Sequence, residues 1–130
     1  MRLFDIDGKP TSINITSNKY AIGKIYRSKL QTDVGEHLQQ KFQHEIILED
    51  FIIPGSKMSV DFFIPRLQII IEVDGQQHDN YSSFLHGEKS QNKFAGQKIR
   101  DVKKERWAEM NDFDFYRIKK LEDLEQLNGI

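Results

Sequence analysis

The chain has no cysteine among its 130 residues, only three prolines, and no apolar run approaching the ~18 residues that a membrane-spanning helix needs. Without cysteine there is no disulfide scaffold, no thiolate-ligated zinc site and no thiol nucleophile. The opening residues, MRLFDIDGKP, lack the apolar stretch of a secretion signal. These absences predict a soluble, cytoplasmic protein with no membrane partner. There is no internal repeat and no low-complexity segment, and the length fits one domain able to bury a core.

Charge is present in both signs but unevenly placed. The formal total is −1, yet residues 1–31 carry six basic side chains against two acidic ones, and residues 89–106 carry seven against two. The remaining residues hold six basic and sixteen acidic groups. Two basic segments around an acidic middle suit phosphate contacts flanking a metal-binding centre. Lys19, Lys24, Arg27 and Lys29 in the first segment, with Lys93, Lys98 and Arg100 in the second, are the side chains these segments offer for phosphate contacts. Such contacts supply salt-dependent affinity without a sequence code.

Punctuation and periodicity divide the chain into residues 1–31, a basic arm or small subdomain, and residues 32–130, a core. Thr32 or Asp33 is expected to cap a helix running to about Phe42, with Val34, Leu38 and Phe42 as its apolar stripe. Three strands follow, at 46–53, 60–65 and 67–73, the last two forming a hairpin. The polar stretch 79–98 reads as loop. A helix from about Ile99 to Asn111 is expected to turn Val102 and Trp107 or Ala108 inward and Lys103, Arg106 and Glu109 outward. A strand at 113–118 and a closing helix carrying Leu121, Leu124 and Leu127 complete an α/β order.

The most informative stretch is DFFIPRLQIIIEVDGQQH, Asp61 to His78. A two-residue turn at Arg66-Leu67 sets Asp61 opposite Glu72, with Cβ atoms ~5 Å apart. The strand period of two then puts Asp74 on the face of Glu72, ~7 Å further along. Glu72 sits among Ile69, Ile70, Ile71 and Val73, a sequence that reads as a central buried strand. Carboxylates crowded and desolvated in this way shift their pKa values unless a cation neutralises them. A hard divalent ion such as Mg²⁺, with Mn²⁺ as a substitute, takes oxygen ligands of this kind and keeps waters for chemistry. Asp61, Glu72 and Asp74 are therefore the expected metal ligands. Which of Glu72 and Asp74 touches metal and which orients water stays open.

The same residues resemble the PD-(D/E)XK nuclease superfamily, which places an Asp on one strand and a Glu on the next. The closer resemblance is to the branch of very-short-patch mismatch-repair endonucleases and EDxHD-type phage homing endonucleases. It rests on five pieces in order: Gly35-Glu36, Asp61 to Pro65, Glu72 to His78, Asp101 to Lys104, and Arg117-Ile118. They cover roughly residues 32–118. Two departures stand out. Asp74 occupies the position where the superfamily usually has Lys, and Asn111-Asp112 replaces the glycine usual before the last strand.

The resemblance implies a restriction-endonuclease-like core, a mixed four- to five-stranded sheet flanked by helices, and a Mg²⁺-dependent endodeoxyribonuclease acting on double-stranded DNA. Asp61 is then the first metal ligand, and Glu36 matches the acidic helix residue that supports the metal. Lys104 stands in for the missing lysine by reaching in from its helix. His78 follows Asp74 through Gly75, and an imidazole titrating near ~6.5 suits proton transfer. It is read as base, acid or phosphate ligand, oriented by Asp79. Gln76 and Gln77 are expected to position phosphate or water, and Arg117 to bind phosphate or pair with Asp101. Trp107 is read as core. Recognition is left to the arm, a loop or a homodimer. The competing readings are a structure-specific nuclease, such as a mismatch nickase or junction resolvase, and a silent DNA-binding module.

Overall fold

The computed structural model describes residues 1–15, 28–74 and 88–130, and for 88–95 the helical backbone alone. The first element is a small hairpin of β1 (Arg2–Phe4) and β2 (Pro10–Ser12). Its turn is closed by Asp5, whose Oδ1 accepts the N–H groups of Asp7 and Lys9, each at 2.9 Å. Gly8, at φ +82°, supplies the left-handed residue that this turn requires.

Helix α1 spans Lys29–Lys41 and begins earlier than the sequence pattern suggests. The cap is Ser28, whose hydroxyl accepts from the Gln31 N–H at 3.1 Å, rather than Thr32 or Asp33. Thr32 instead turns its hydroxyl back onto the Ser28 carbonyl, as a residue of the first turn does. The expected stripe of Val34, Leu38 and Phe42 is buried.

The main sheet contains β3 (Leu48–Ile52), β4 (Ser59–Ile64), β5 (Ile69–Val73) and β6 (Asp114–Ile118), in that spatial order. The first two pairings are antiparallel and β5–β6 is parallel, so the sheet is mixed. A parallel pair needs a long crossover. Helix α2 (Glu88–Met110) lies between those two strands in sequence, and a 3₁₀ helix over Leu121–Leu127 follows β6.

The sheet is covered on both faces. On one, Trp107 and Ala108 of α2 pack with Leu3, Phe51, Phe63, Ile70 and Phe113. The Trp107 ring meets Phe113 edge-on at 5.5 Å, and its indole N–H donates to the Phe4 carbonyl at 2.8 Å. Trp107 is thus core, and it ties the N-terminal hairpin to α2. On the other face, α1 and the 3₁₀ helix contribute Val34, Leu38, Leu124 and Leu127 against Phe62, Ile64 and Ile71. The architecture is α/β, as expected at that level.

Two expectations on α2 fail together. The helix starts at Glu88, inside the stretch read as loop, and Val102 is 47% exposed rather than inward. A helix advances ~100° per residue, so Val102 lies nearly opposite Lys104, on the outer surface. Ile99 is 56% exposed as well. Of the residues expected inward, Trp107 and Ala108 are buried and Val102 is not. Among the described residues no helix is long and apolar enough to cross a membrane.

Candidate functional site

The β4–β5 hairpin has the expected register: Phe62 opposite Ile71, Phe63 opposite Ile70 and Ile64 opposite Ile69. One step further lie Asp61 and Glu72, and there the side chains take over the ladder. The Asp61 N–H donates to Glu72 Oε1 at 2.9 Å, and the Val73 N–H donates to Asp61 Oδ2 at 2.7 Å. Each carboxylate satisfies a backbone donor of the opposite strand. A buried N–H must find an acceptor, and here two acids provide it.

The cost of this arrangement falls on the acids. Burial is the main reason that Asp61 is pushed up to about 6 and Glu72 to about 7. The negative charge of Asp61 raises Glu72 further, while Lys104 lowers both. Lys104 reaches in from α2, with Nζ 3.2 Å from Glu72 Oε2 and a side chain only 16% exposed. Lys104 lies three and four residues before the buried Trp107 and Ala108, on the inward face of α2, and supplies the cation of a buried carboxylate pair.

Asp74 lies near enough for its charge to raise the Asp61 carboxyl, but its direct partner is another residue. Its N–H continues the parallel ladder to the Ile118 carbonyl at 2.9 Å, but its carboxylate binds Arg117 Nη1 at 2.8 Å. Arg117 lies opposite Glu72 in the β5–β6 register, and α2 surrounds it with Glu105, at 2.8 and 3.0 Å, and Asp101, at 3.9 Å. The three strand acids therefore divide between two cations, Asp61 and Glu72 with Lys104, and Asp74 with Arg117. Among the described residues no group of three or more His, Asp or Glu side chains is arranged to hold a metal ion. The local strand period could not reveal this split, because Arg117 arrives from a distant, parallel strand.

Sequence reasoning also passed over Glu49 and Asp50. The β3–β4 register pairs Glu49 with Phe62 and Phe51 with Val60, which sets Asp50 across from Asp61. Asp50 adopts φ +52°, and its charge raises the Asp61 carboxyl. Glu49 is fully buried, and its Oε1 accepts from the Gln31 amide of α1 at 3.5 Å. The signal was available: two acids within the apolar run IILEDFII break the strand pattern as Glu72 does.

Other expected residues are scattered. Glu36 is exposed on α1, the helix that packs on the sheet face away from Lys104. Lys29, Lys98 and Arg100 are exposed, and so are Lys103 and Arg106. Lys19, Lys24, Arg27, Gln76, Gln77, His78, Asp79 and the side chain of Lys93 lie outside the described residues. An apolar cavity of about 340 Å³ at the turn end of the hairpin, lined by residues that include Met1, Ile15 and Pro65, is bounded by none of these strand acids.

The arrangement concentrates negative charge at a desolvated carboxylate pair and holds an ammonium group beside it. Comparison with protein-family models, curated proteins and solved structures finds no match to this chain.

Proposed function

We propose that the chain is a metal-dependent DNA endonuclease with a restriction-endonuclease-like core, hydrolysing phosphodiester bonds at the Asp61–Glu72 pair. The observation that carries this reading is the reciprocal seating of the two carboxylates beside Lys104. The pair accepts two backbone N–H groups, but burial still raises both pKa values with Lys104 in place. A divalent cation relieves that conflict, and two carboxylates plus water form a normal donor set for Mg²⁺ or Mn²⁺. The residues therefore fit the ion.

In this reading Asp61 and Glu72 hold the metal, each already fixed by a backbone N–H. When bound, the ion acts as a Lewis acid on a phosphate oxygen and lowers the pKa of water. Lys104 keeps its ammonium beside Glu72, where it offsets negative charge brought in by the phosphate and hydrogen-bonds the attacking water. Lys98, Arg100, Lys103 and Arg106, exposed on α2, meet flanking phosphates. His78, in the motif segment after Asp74, is the proton-transfer group of this reading.

The test is cleavage of plasmid and of linear, mismatched and branched duplexes with Mg²⁺ and with EDTA. Metal-dependent cutting that Asp61→Asn abolishes supports the proposal, and the preferred substrate separates a site-specific endonuclease from a structure-specific one. Binding of DNA without cutting in Mg²⁺ or Mn²⁺ would establish a silent module instead.

A further inference from the structure

We propose that Arg117 is a positioning residue that acts through Asp74: by holding this carboxylate it keeps Asp74 out of the ligand set and limits how tightly the Asp61–Glu72 pair takes a divalent cation. The inference rests on the metal-dependent reading above.

Asp74 lies two residues beyond Glu72, so the strand period carries both side chains to the face covered by α2. The contacts agree, since Glu72 meets Lys104 and Asp74 meets Arg117, which is itself bonded to α2. The Asp74 carboxylate is held by a partner of its own. The guanidinium Nη1 is 2.8 Å from Asp74 Oδ2, while Nε and Nη2 both donate to Glu105 Oε1. Asp101 stands 3.9 Å away, and the guanidinium carbon lies 5.1 Å from the centre of the Phe115 ring.

One cation thus faces three carboxylates, two of them on the helix. Glu105 and Asp101 keep Arg117 neutralised without Asp74, so Asp74 is the partner whose release leaves the arginine still paired. It is also the partner placed on the strand that carries Glu72. Charge-assisted bonds of this kind are strong and directional, and metal affinity rises with the number of anionic ligands. The Arg117–Asp74 bond and metal binding then compete for one carboxylate.

Three roles for Arg117 give three different results. A purely structural arginine weakens metal binding when it is removed. One that only contacts DNA phosphates leaves metal binding unchanged in the absence of DNA. The latch tightens it. The experiment is Mn²⁺ titration of the metal-free protein without DNA, read by electron paramagnetic resonance or calorimetry. Arg117→Gln is expected to bind Mn²⁺ about tenfold tighter than the wild type, a coupling of ordinary size, and Asp74→Asn added to it should cancel the gain. Arg117→Lys, which retains a charge for Asp74, should return affinity to within about threefold of the wild type.

Should Arg117→Gln not fold, Asp74→Asn can still overturn the latch. A latched Asp74 contributes no ligand, so its loss should leave wild-type Mn²⁺ affinity nearly unchanged. A folded Arg117→Gln protein with equal or weaker affinity, or a tenfold loss in Asp74→Asn, overturns the latch and leaves the metal reading standing. Absence of Mn²⁺ binding in wild type and variants alike overturns both.

Discussion

Asp61 and Glu72 exchange hydrogen bonds with each other's strands: Glu72 Oε1 accepts the Asp61 N–H, and Asp61 Oδ2 accepts the N–H of Val73, the residue after Glu72. The carboxylates are therefore part of the sheet as well as of the candidate site. Glu72→Gln keeps an acceptor for the Asp61 N–H and removes the charge, so it should fold while losing metal binding and cleavage. Glu72→Ala removes the acceptor too and leaves a half-buried donor unsatisfied, at a cost of about 1–3 kcal/mol. Paired denaturation curves and cleavage assays on the two variants separate these roles. Equal stability of Gln and Ala at acid pH would show that the hydrogen bond contributes nothing.

The pair also fixes a pH dependence with a definite sign. Asp61 and Glu72 are raised to about 6 and about 7 by burial, above the values they have in an unfolded chain. A carboxylate raised on folding stabilises the protein below its unfolded pKa, and that stability is lost as pH rises through the folded pKa. The metal-free wild type should therefore lose stability between pH 4 and 8 relative to Asp61→Asn, by on the order of a few kcal/mol. Mg²⁺ requires the deprotonated pair, so it should raise the melting temperature at pH 8 and hardly at pH 5. Thermal melts across that range, with and without Mg²⁺, check both halves.

Lys104 is the second element of the site whose removal has a pH signature. Lys104→Met leaves Glu72 buried beside Asp61 without a cation. At pH 5 the acid is protonated and the loss is small. At pH 8 the metal-free variant should be destabilised by about 1–3 kcal/mol, less than the full cost of an unpaired buried charge because the carboxyl can take up a proton. Cleavage should fall on the order of a hundredfold, and added Mg²⁺ should recover most of the stability. Lys103→Met, one residue away and exposed, is the control. It should change stability little and weaken DNA binding instead, with a salt dependence shallower by about 0.9 for each phosphate that is no longer neutralised.

The parts of this molecule that were legible in its sequence are those fixed by local rules. The two-residue turn at Arg66-Leu67 sufficed for the β4–β5 register, which a slip of one residue would have broken by turning Asp61 away from Glu72. The same register placed Asp61 against Glu72. The unforeseen features are non-local. Asp74 meets Arg117 across a parallel pairing, and α2 begins at Glu88, inside a polar stretch with no apolar periodicity in its sequence. Ser28 was missed as a cap for a simpler reason, since it follows a basic stretch that reads as an arm. Glu49 and Asp50 were visible but unread, although they break an apolar strand in the same way as Glu72.

The end of α2 offers a test of the backbone that positions Arg117. The Asp112 N–H donates to the Glu109 carbonyl at 3.1 Å, and the Phe113 N–H donates to the Ala108 carbonyl at 2.8 Å. This is the two-bond helix stop that normally ends on a left-handed glycine. Here the left-handed residue is Asp112, at φ +57°. An L-residue in that region costs about 1 kcal/mol, somewhat less for Asp. Asp112→Gly removes the strain and regains part of it as net stability, because glycine also frees the unfolded chain. The expected gain is about 0.5 kcal/mol, while Asp112→Val should lose more than about 1 kcal/mol, since a β-branched side chain tolerates this conformation poorly. The turn leads directly into β6, whose Asp114 N–H bonds the Gln68 carbonyl at 2.9 Å and sets Arg117 opposite Glu72. Asp112→Gly should therefore leave Mn²⁺ affinity at the wild-type value, and Asp112→Val, if the register slips, should change it. Denaturation and Mn²⁺ titration on the same two variants measure both effects.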